Sequence, residues 1–590
     1  MNSSAIFESF NAKNLRPEQV AKTFITSINF KKIAKRRHSV IIGPRGSGKT
    51  SMLKMLQVEA LDSWNNEESH EYKRDIDFHG AFIATDRVFK EQVESLQFDN
   101  FSDDVKELFA ISIFTTHVFK SLAQAFQFTT KNNTENDTYD FIEAISLIWS
   151  LNLKSYSFSS LMTALHVRKS LIPALANKLR FFDSADISKI IIKDENSFLH
   201  LDMIQAVSAA VDLYEQFFPN GLTNWALLFD ELELAPKCVV QRLIDALRGT
   251  NDKIILKLSV APYSPEISIV KDIFSAAVGQ DYDQVVLWNS KKLESNRQFT
   301  IDLVKSMLAE RGIALEELDF IFKNPVLKLR NALFSELFRQ DPSFRVYIRQ
   351  KNIDIDNLES ITGNDRRELL GKIAHIVRIR LAAMNFNGGS TSKISLRKLH
   401  DYYAGKDMLF DLLEGNPRLI IGVLSPLLDE YQSTGKRVSV QRQLDEVNVA
   451  INKFMLFLKS IPIYQEGTKF RGIGVNTIIN EIGDKFATEV LSTEFNENPV
   501  GSFTVDKNIP PALKSILGAA LNSGALVHLH GLDSDVFLGD LEGHKFRLSF
   551  LLVPKFNLPV NVMASSNLSS LIKGNDNKGG KNFEFKFSDV

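Results

Sequence analysis

One cysteine, Cys238, stands in 590 residues, so no disulfide can form within the chain. That scarcity suits a reducing compartment, and the cytoplasm is the expected location. Cys238 reads as a buried, inert thiol rather than a nucleophile. Net charge is also missing: 70 lysines and arginines against 71 aspartates and glutamates leave −1. Whole-molecule attraction to nucleic acid or an anionic membrane is thereby excluded, and any polyanion-binding face must be local. No uninterrupted apolar run approaches a membrane span, and Met-Asn-Ser-Ser-Ala-Ile-Phe-Glu at the start lacks a basic and an apolar leader segment. The expectation is no membrane association. Internal repeats, metal-ligand clusters and nuclease, deaminase or protease motifs are absent as well.

What remains is a long, apolar chain. With 44% hydrophobic residues it is too apolar to be disordered and too long for one core, so two to four domains are expected. Its 44 phenylalanines read as packing rather than as base-stacking platforms.

The strongest signal is Val40-Ile41-Ile42-Gly43-Pro44-Arg45-Gly46-Ser47-Gly48-Lys49-Thr50, with Ser51 and Met52 leading into a helical pattern. Gly43, Gly46, Gly48, Lys49 and Thr50 fit G-x-x-x-x-G-K-[ST], between a buried strand and a helix start. Glycines there let successive N–H groups close around a polyphosphate at the helix N-terminus. Lys49 would neutralise the β- and γ-phosphates, and the Thr50 hydroxyl would supply a ligand to Mg²⁺. ATP and Mg²⁺ are the expected ligands, with residues 43–51 as the cradle.

The second half of that constellation is Asn224-Trp225-Ala226-Leu227-Leu228-Phe229-Asp230-Glu231, an apolar strand ending in two carboxylates. Asp230 would hold the metal shell, and Glu231 would orient or deprotonate the attacking water. A further strand, Ile254–Val260, carries Ser259 where a polar group could reach the γ-phosphate or its water; a satisfied strand-end serine is the competing reading. Gly80–Thr85 and Gln284–Trp288 complete a parallel sheet covered on both faces, with ligands at the strands' C-terminal edge. Before the loop, Phe24, Ile25 and Phe30 either cover the adenine or belong to the core.

Four segments follow from the pattern. Residues 1–290 form an α/β core with a helical insertion at about 88–212. Residues 291–440 read as helical, with a break at Leu413–Ile420. There Gly415 fits a helix C′ position, Asn416 an N-cap and Pro417 the first helical turn, so Arg418 projects from a rigid helix start. Within this segment Lys323–Lys398 holds 15 basic and 7 acidic residues, net +8, including Arg366, Arg367, Lys372, Arg378 and Arg380. This is either a polyanion-binding face, through which DNA could bind, or a solvated one. Residues 441–573 read as helices followed by two strands, Ala525–His530 and His544–Val553, around Gly531, Asp533, Asp535 and Gly539, the outline of a winged helix. Its 15 basic residues face 16 acidic ones over 441–590, which favours protein contact over DNA. The tail at 574–590 reads as a flexible linker ending in the strand-like Phe583–Phe587.

Arg45 within the loop, Asp230-Glu231, Ser259 and Gly415-Asn416-Pro417-Arg418 together resemble an AAA+ ATPase of the origin-recognition-complex type, nearest to a bacterial branch often associated with anti-phage defence or mobile elements. The resemblance covers residues 1–430 as organisation and far fewer as motif. It implies that Gly43–Thr50 is the Walker A loop, Asp230-Glu231 the Walker B pair, Ser259 sensor 1 and Arg418 sensor 2, with residues 291–440 as lid. It also implies a homo- or hetero-oligomer whose sites close between subunits through an arginine finger. The interval where that finger usually lies, Ala261–Asp283, contains no arginine; Arg242, Arg248 and Arg297 are the substitutes. The expected activity is an ATP-hydrolysing switch acting on a protein partner or a DNA-bound assembly. The alternatives are an initiator-like DNA loader and a nucleotide-gated scaffold without appreciable turnover, with a small-molecule phosphotransferase more distant.

Overall fold

The computed structural model describes residues 15–65, 69–85, 98–219, 221–249, 251–264, 278–287, 293–325, 330–355, 358, 364–386, 392–393, 399–465, 468–470, 474–529 and 539–572. Several expectations fall outside them: the N-terminal residues, the start of the insertion at Val88, Trp288, most of the 531–539 loop, and the tail with Phe583–Phe587. Nor are the side chains of Arg366 and Arg367 described. The described residues form two compact units. The first takes in those of Ser9–Gly43 and Gly48–Leu287, and the second those of Pro44–Ser47 and Trp288–Val590.

The first unit is built on a five-stranded parallel sheet: β1 (His38–Ile42), β2 (His79–Ala84), β3 (Trp225–Asp230), β4 (Ile254–Val260) and β5 (Tyr282–Val286), in the order β2-β3-β4-β1-β5. All residues of β3 and β4 are buried, as near-continuous apolar runs demand when both sheet faces are covered. Register brings the chemistry level. Ile41 pairs with Ser259 and Phe229 with Leu258, which sets Asp230 beside Ser259 at the C-terminal edge.

One cover of this sheet comes from the stretch expected to be an insertion. Helix α2 (Asp103–Thr129), which follows the short loop helix α1 (Lys49–Met55), packs on β2 and β3. Phe114 stacks on Phe229 at 5.8 Å, and Phe126 meets Trp225 edge-on at 4.6 Å. Helices α3 (Glu135–Ile148), α4 (Phe158–Leu179) and α5 (Met203–Phe217) build outward, with Phe119 stacked on Trp149 at 4.4 Å and Tyr214 bridging Phe126 and Trp225. The phenylalanines seen here are core, each worth roughly 1.5–3 kcal/mol of burial. Helix α6 (Lys237–Gly249) follows β3. Helix α1 ends at Met55, and a second helix begins at Val58.

The second unit is mostly helical: α7 (Leu293–Ala309), α8 (Arg330–Gln340), α9 (Pro342–Gln350), α10 (Asn364–Ala383), α11 (Lys406–Leu413), α12 (Pro417–Thr434), α13 (Val440–Ser460), α14 (Val475–Val490) and α15 (Pro511–Ser523). Contrary to the strand-free expectation for 291–440, Met384–Asn385 pairs with Ser392–Lys393. Arg380 of α10 is wholly buried, paired with Asp341 at 2.7 Å and donating to the carbonyls of Val490 and Ser492. Beyond α14, where two strands are expected, the described residues form four: β6 (Val500–Thr504), β7 (Leu526–His528), β8 (Lys545–Leu548) and β9 (Ala564–Asn567), in the order β7-β8-β6-β9. Both anticipated strands are shorter than read. Past Leu548 the chain enters a 3₁₀ turn, Phe550–Phe556, because Pro554 has no N–H to give a ladder.

Candidate nucleotide site

In the first unit the site grows from three strand ends. Asp230 closes β3, 2% exposed, and its two carboxylate oxygens accept from two hydroxyls: Oδ2 from Thr50 at 2.7 Å, Oδ1 from Ser259 at 3.0 Å. Burial pushes the Asp230 carboxyl above the ordinary carboxylate value, and the charge of Glu231 adds to this. The bonds from Thr50 and Ser259 and the charge of Lys49 oppose it. Three residues picked from the sequence thus converge on one buried carboxylate.

Lys49 is 7% exposed, and its ammonium donates to the Gly43 carbonyl. Gly48 caps α1 at φ +94° and Gly46 sits at φ +86°, left-handed values that only glycine adopts at little cost. The N-terminus of α1 therefore opens with N–H groups that α1 itself cannot satisfy, the physical basis of phosphate binding. Glu231 also sits in the left-handed region, at φ +55°. For a non-glycine residue this is a strained backbone, held here by the packed strand before it and the short 3₁₀ turn after it.

Sequence reasoning passed over Thr85. It follows β2, is 1% exposed, and donates its backbone N–H to the Asp230 carbonyl at 3.1 Å, while its hydroxyl has no partner among the described residues. The signal was a threonine ending the strand next to the Asp-Glu strand. Phe30 is fully buried in the core and meets Phe24 at 4.5 Å, Trp64 at 6.0 Å and Tyr72 at 5.5 Å, while Phe24 is half-buried against that cluster. Ile25 is half-buried. Cys238 is half-buried, its thiol pushed up by burial.

Within the second unit, Pro44–Ser47 lies against the start of α12. A Cβ on Gly46 would stand 3.2 Å from Asn416 Oδ1 and 3.3 Å from Arg418 Cβ. Asn416 caps α12, accepting from the N–H groups of Arg418 and Leu419 at 3.1 and 3.3 Å, and Pro417 opens the helix. Ser47 Oγ donates to the Pro44 carbonyl at 2.8 Å. Arg45 donates its backbone N–H to Asn522 at 2.8 Å and lays its guanidinium over Phe457 at 5.0 Å. Just before Gly415, Glu414 holds φ +50° and is buried with Arg547 of β8. Of the substitute fingers, Arg297 pairs with Asp407 at 2.8 Å and Arg242 with Asp202 at 3.7 Å. Among the described residues no cluster of three His, Cys, Asp or Glu could hold a metal by itself, and no helix is long and apolar enough to cross a membrane.

A parallel sheet with a glycine-rich loop after one strand, and a buried carboxylate bonded to that loop's threonine, define the class: a P-loop nucleoside triphosphatase core. More particularly, a family model described as ORC-CDC6-like matches residues 5–566. The chain belongs to that family, of the AAA+ ATPase type. No curated protein and no solved structure matches it.

Proposed function

We propose that the chain is a MgATP-binding, ATP-hydrolysing switch whose nucleotide state controls a partner protein or a DNA-bound assembly. The observation that carries this is the convergence of the Thr50 and Ser259 hydroxyls on Asp230. The donor set fits Mg²⁺: a buried carboxylate and a hydroxyl are hard oxygens, and a cation would offset the burial that disfavours the charge of Asp230. Thr50 and Asp230 would hold the ion, which when bound neutralises charge on the β- and γ-phosphate oxygens.

On this reading the N–H groups of Gly43–Ser51 take the phosphates and Lys49 neutralises their terminal oxygens. Glu231 orients the attacking water and accepts its proton as the bond to the γ-phosphorus forms, with ADP leaving in line. Ser259 holds Asp230 and reports on the γ-phosphate. Thr85, whose backbone N–H reaches the Asp230 carbonyl, would fix the end of β3 from which Glu231 follows. Arg418 serves as the second sensor, a role supported by its rigid mount behind the Asn416 cap. A difference of a few kcal/mol in nucleotide affinity between two states suffices to shift such a switch.

A nucleotide-gated scaffold is the second reading, favoured by the absence of arginine between Ala261 and Asp283. A DNA loader acting through 323–398 is the third, favoured by that segment's charge. Placement in a bacterial, anti-phage branch rests on the resemblance alone.

The test is ATP hydrolysis by wild type, Lys49→Ala and Glu231→Gln, with and without duplex DNA, alongside mass in solution. Turnover lost in both variants supports the switch, and stimulation by DNA selects the loader. Binding with no turnover, but with a change of assembly state, selects the scaffold. Failure to bind ATP refutes all three.

A further inference from the structure

A cavity of about 410 Å³ in the second unit is lined by Leu333 of α8, by Gly371, Lys372, Ala374, His375 and Arg378 of α10, and by Asn561. None of the glycine-rich loop residues belongs to it. We infer that this cavity is a binding site for a small phosphate-bearing organic molecule of nucleotide size. The inference stands whether or not the loop hydrolyses ATP.

Size is the first argument, since small-molecule pockets run to roughly 300–1,000 Å³. Chemistry is the second. Positions 371, 374, 375 and 378 follow one helix face, and Lys372 flanks it. The lining residues include two cations, of which Lys372 is exposed, and an imidazole, with no carboxylate among them, around a wall that is mostly apolar. Among the described residues no ion pair of Lys372 or Arg378 is formed, and the charge of Arg378 is felt by His400 and Tyr402. His375 Nδ1 is engaged with the Tyr402 hydroxyl at 2.9 Å. Asn561 Oδ1 accepts the Val562 N–H at 2.8 Å, so its amide nitrogen is the end left to donate. Arginine and lysine together suit a phosphate, one as a fork and one as a point charge, while Leu333, Ala374 and the bare Gly371 backbone give an apolar wall for a flat organic body.

Gly371 is the third and independent argument. It lies in the middle of a 20-residue helix, where glycine is less stable than alanine. A Cβ built on it would meet nothing within 4 Å, so no neighbour demands the glycine. As a lining residue it leaves the space beside α10 unfilled, where a larger side chain would narrow the cavity.

The test uses full-length protein carrying Lys49→Ala, which removes the loop lysine, titrated calorimetrically with pyrophosphate and AMP and fluorimetrically with a fluorescent ADP analogue. One saturable site should remain for at least one probe. Lys372→Gln with Arg378→Gln should weaken it by roughly tenfold or more. Gly371→Leu should abolish it, and Gly371→Ala should weaken it without lowering the melting temperature. Should Gly371→Leu not fold, the alanine variant and the charge variant decide. Binding of none of the three probes overturns the inference, as does binding indifferent to Gly371 and to the two cations. Duplex DNA bound through Lys372 and Arg378, with no effect of Gly371→Leu, would also overturn it in favour of an open nucleic-acid face.

Discussion

Glu414 and Arg547 offer the sharpest test of how the second unit is held together. Their side chains are 2% and 3% exposed, and Glu414 Oε1 accepts from Arg547 Nη2 at 2.5 Å. Glu414 Oε2 takes the backbone N–H of Phe550 at 2.7 Å, Arg547 Nη1 reaches the Leu548 carbonyl at 2.9 Å, and the guanidinium lies 3.8 Å over the Phe550 ring. Glu414→Ala strands a buried guanidinium and an N–H donor together. Losing one member of such a pair costs about 3–5 kcal/mol, a shift of roughly two to nearly four decades in the folding equilibrium. Arg547→Met leaves Glu414 its Phe550 contact and the option of protonating, so its cost should fall at or below the lower end of that range. In the double variant nothing charged is stranded, and the loss should be well below the sum of the two singles, a coupling above about 1 kcal/mol. Urea unfolding followed by far-ultraviolet circular dichroism, read on the second unit's transition, measures all three. If each single change costs under 1 kcal/mol and the effects add, the pair does not tie β8 to the end of α11, and the reasoning fails.

Other outcomes follow from the same physics. Asp230→Asn removes a carboxylate whose burial disfavours its charge, so melting temperature should hold or rise while Mg²⁺-dependent nucleotide binding disappears; a melting temperature that falls by several degrees would contradict the burial argument. Lys257 is fully buried in β4 beneath the carbonyls of Lys35 and Arg37, at 2.7 and 2.6 Å, and burial brings its ammonium down to about 7, Asp283 pulling it up and Arg37 further down. Since the unfolded lysine still binds its proton up to about pH 10.4, stability should climb with pH between about 7 and 10.4, by at most about 1.4 kcal/mol per pH unit. Lys257→Met should flatten that climb, and parallel pH–melting curves for the two proteins would refute it. Asn416→Ala should cost about 1 kcal/mol through the lost cap of α12, with Asn416→Asp near neutral; thermal unfolding compares them.

Much of the candidate site could be read from the chain because its chemistry is local. A phosphate cradle needs glycines at fixed offsets before a lysine, so Gly46 and Gly48 announce their left-handed backbone in the sequence itself. Asp230 and Ser259 end or nearly end apolar runs, and strand ends are where a parallel sheet presents side chains. Thr85 was missed because its significance lies in register: only the pairing of β2 with β3 sets it beside Asp230. The role of α2 escaped for a similar reason. Its apolar residues run nearly all round, Phe109 to Phe126, which marks a buried helix but does not say that a sheet lies beneath. Strands β6 and β9 carry little propensity signal; Val-Gly-Ser-Phe-Thr and Ala-Ser-Ser-Asn owe their conformation to each other and to β8.

The aromatic core of the first unit doubles as an optical reporter. Trp64, Trp149 and Trp225 are each at most 1% exposed and all belong to that unit, one beneath the loop helix, one against α2 and one opening β3. Their emission should be blue-shifted in the native protein and move to the red as water reaches the sheet. The helical part of the second unit, from α7 to α15, contains no tryptophan, but it does contain the buried Tyr402 and Tyr403. In a Trp288→Phe protein, which lacks the tryptophan assigned to the second unit, a fluorescence melt selecting tryptophan emission would follow one unit and dichroism both, so unequal midpoints would separate their unfolding without cutting the chain.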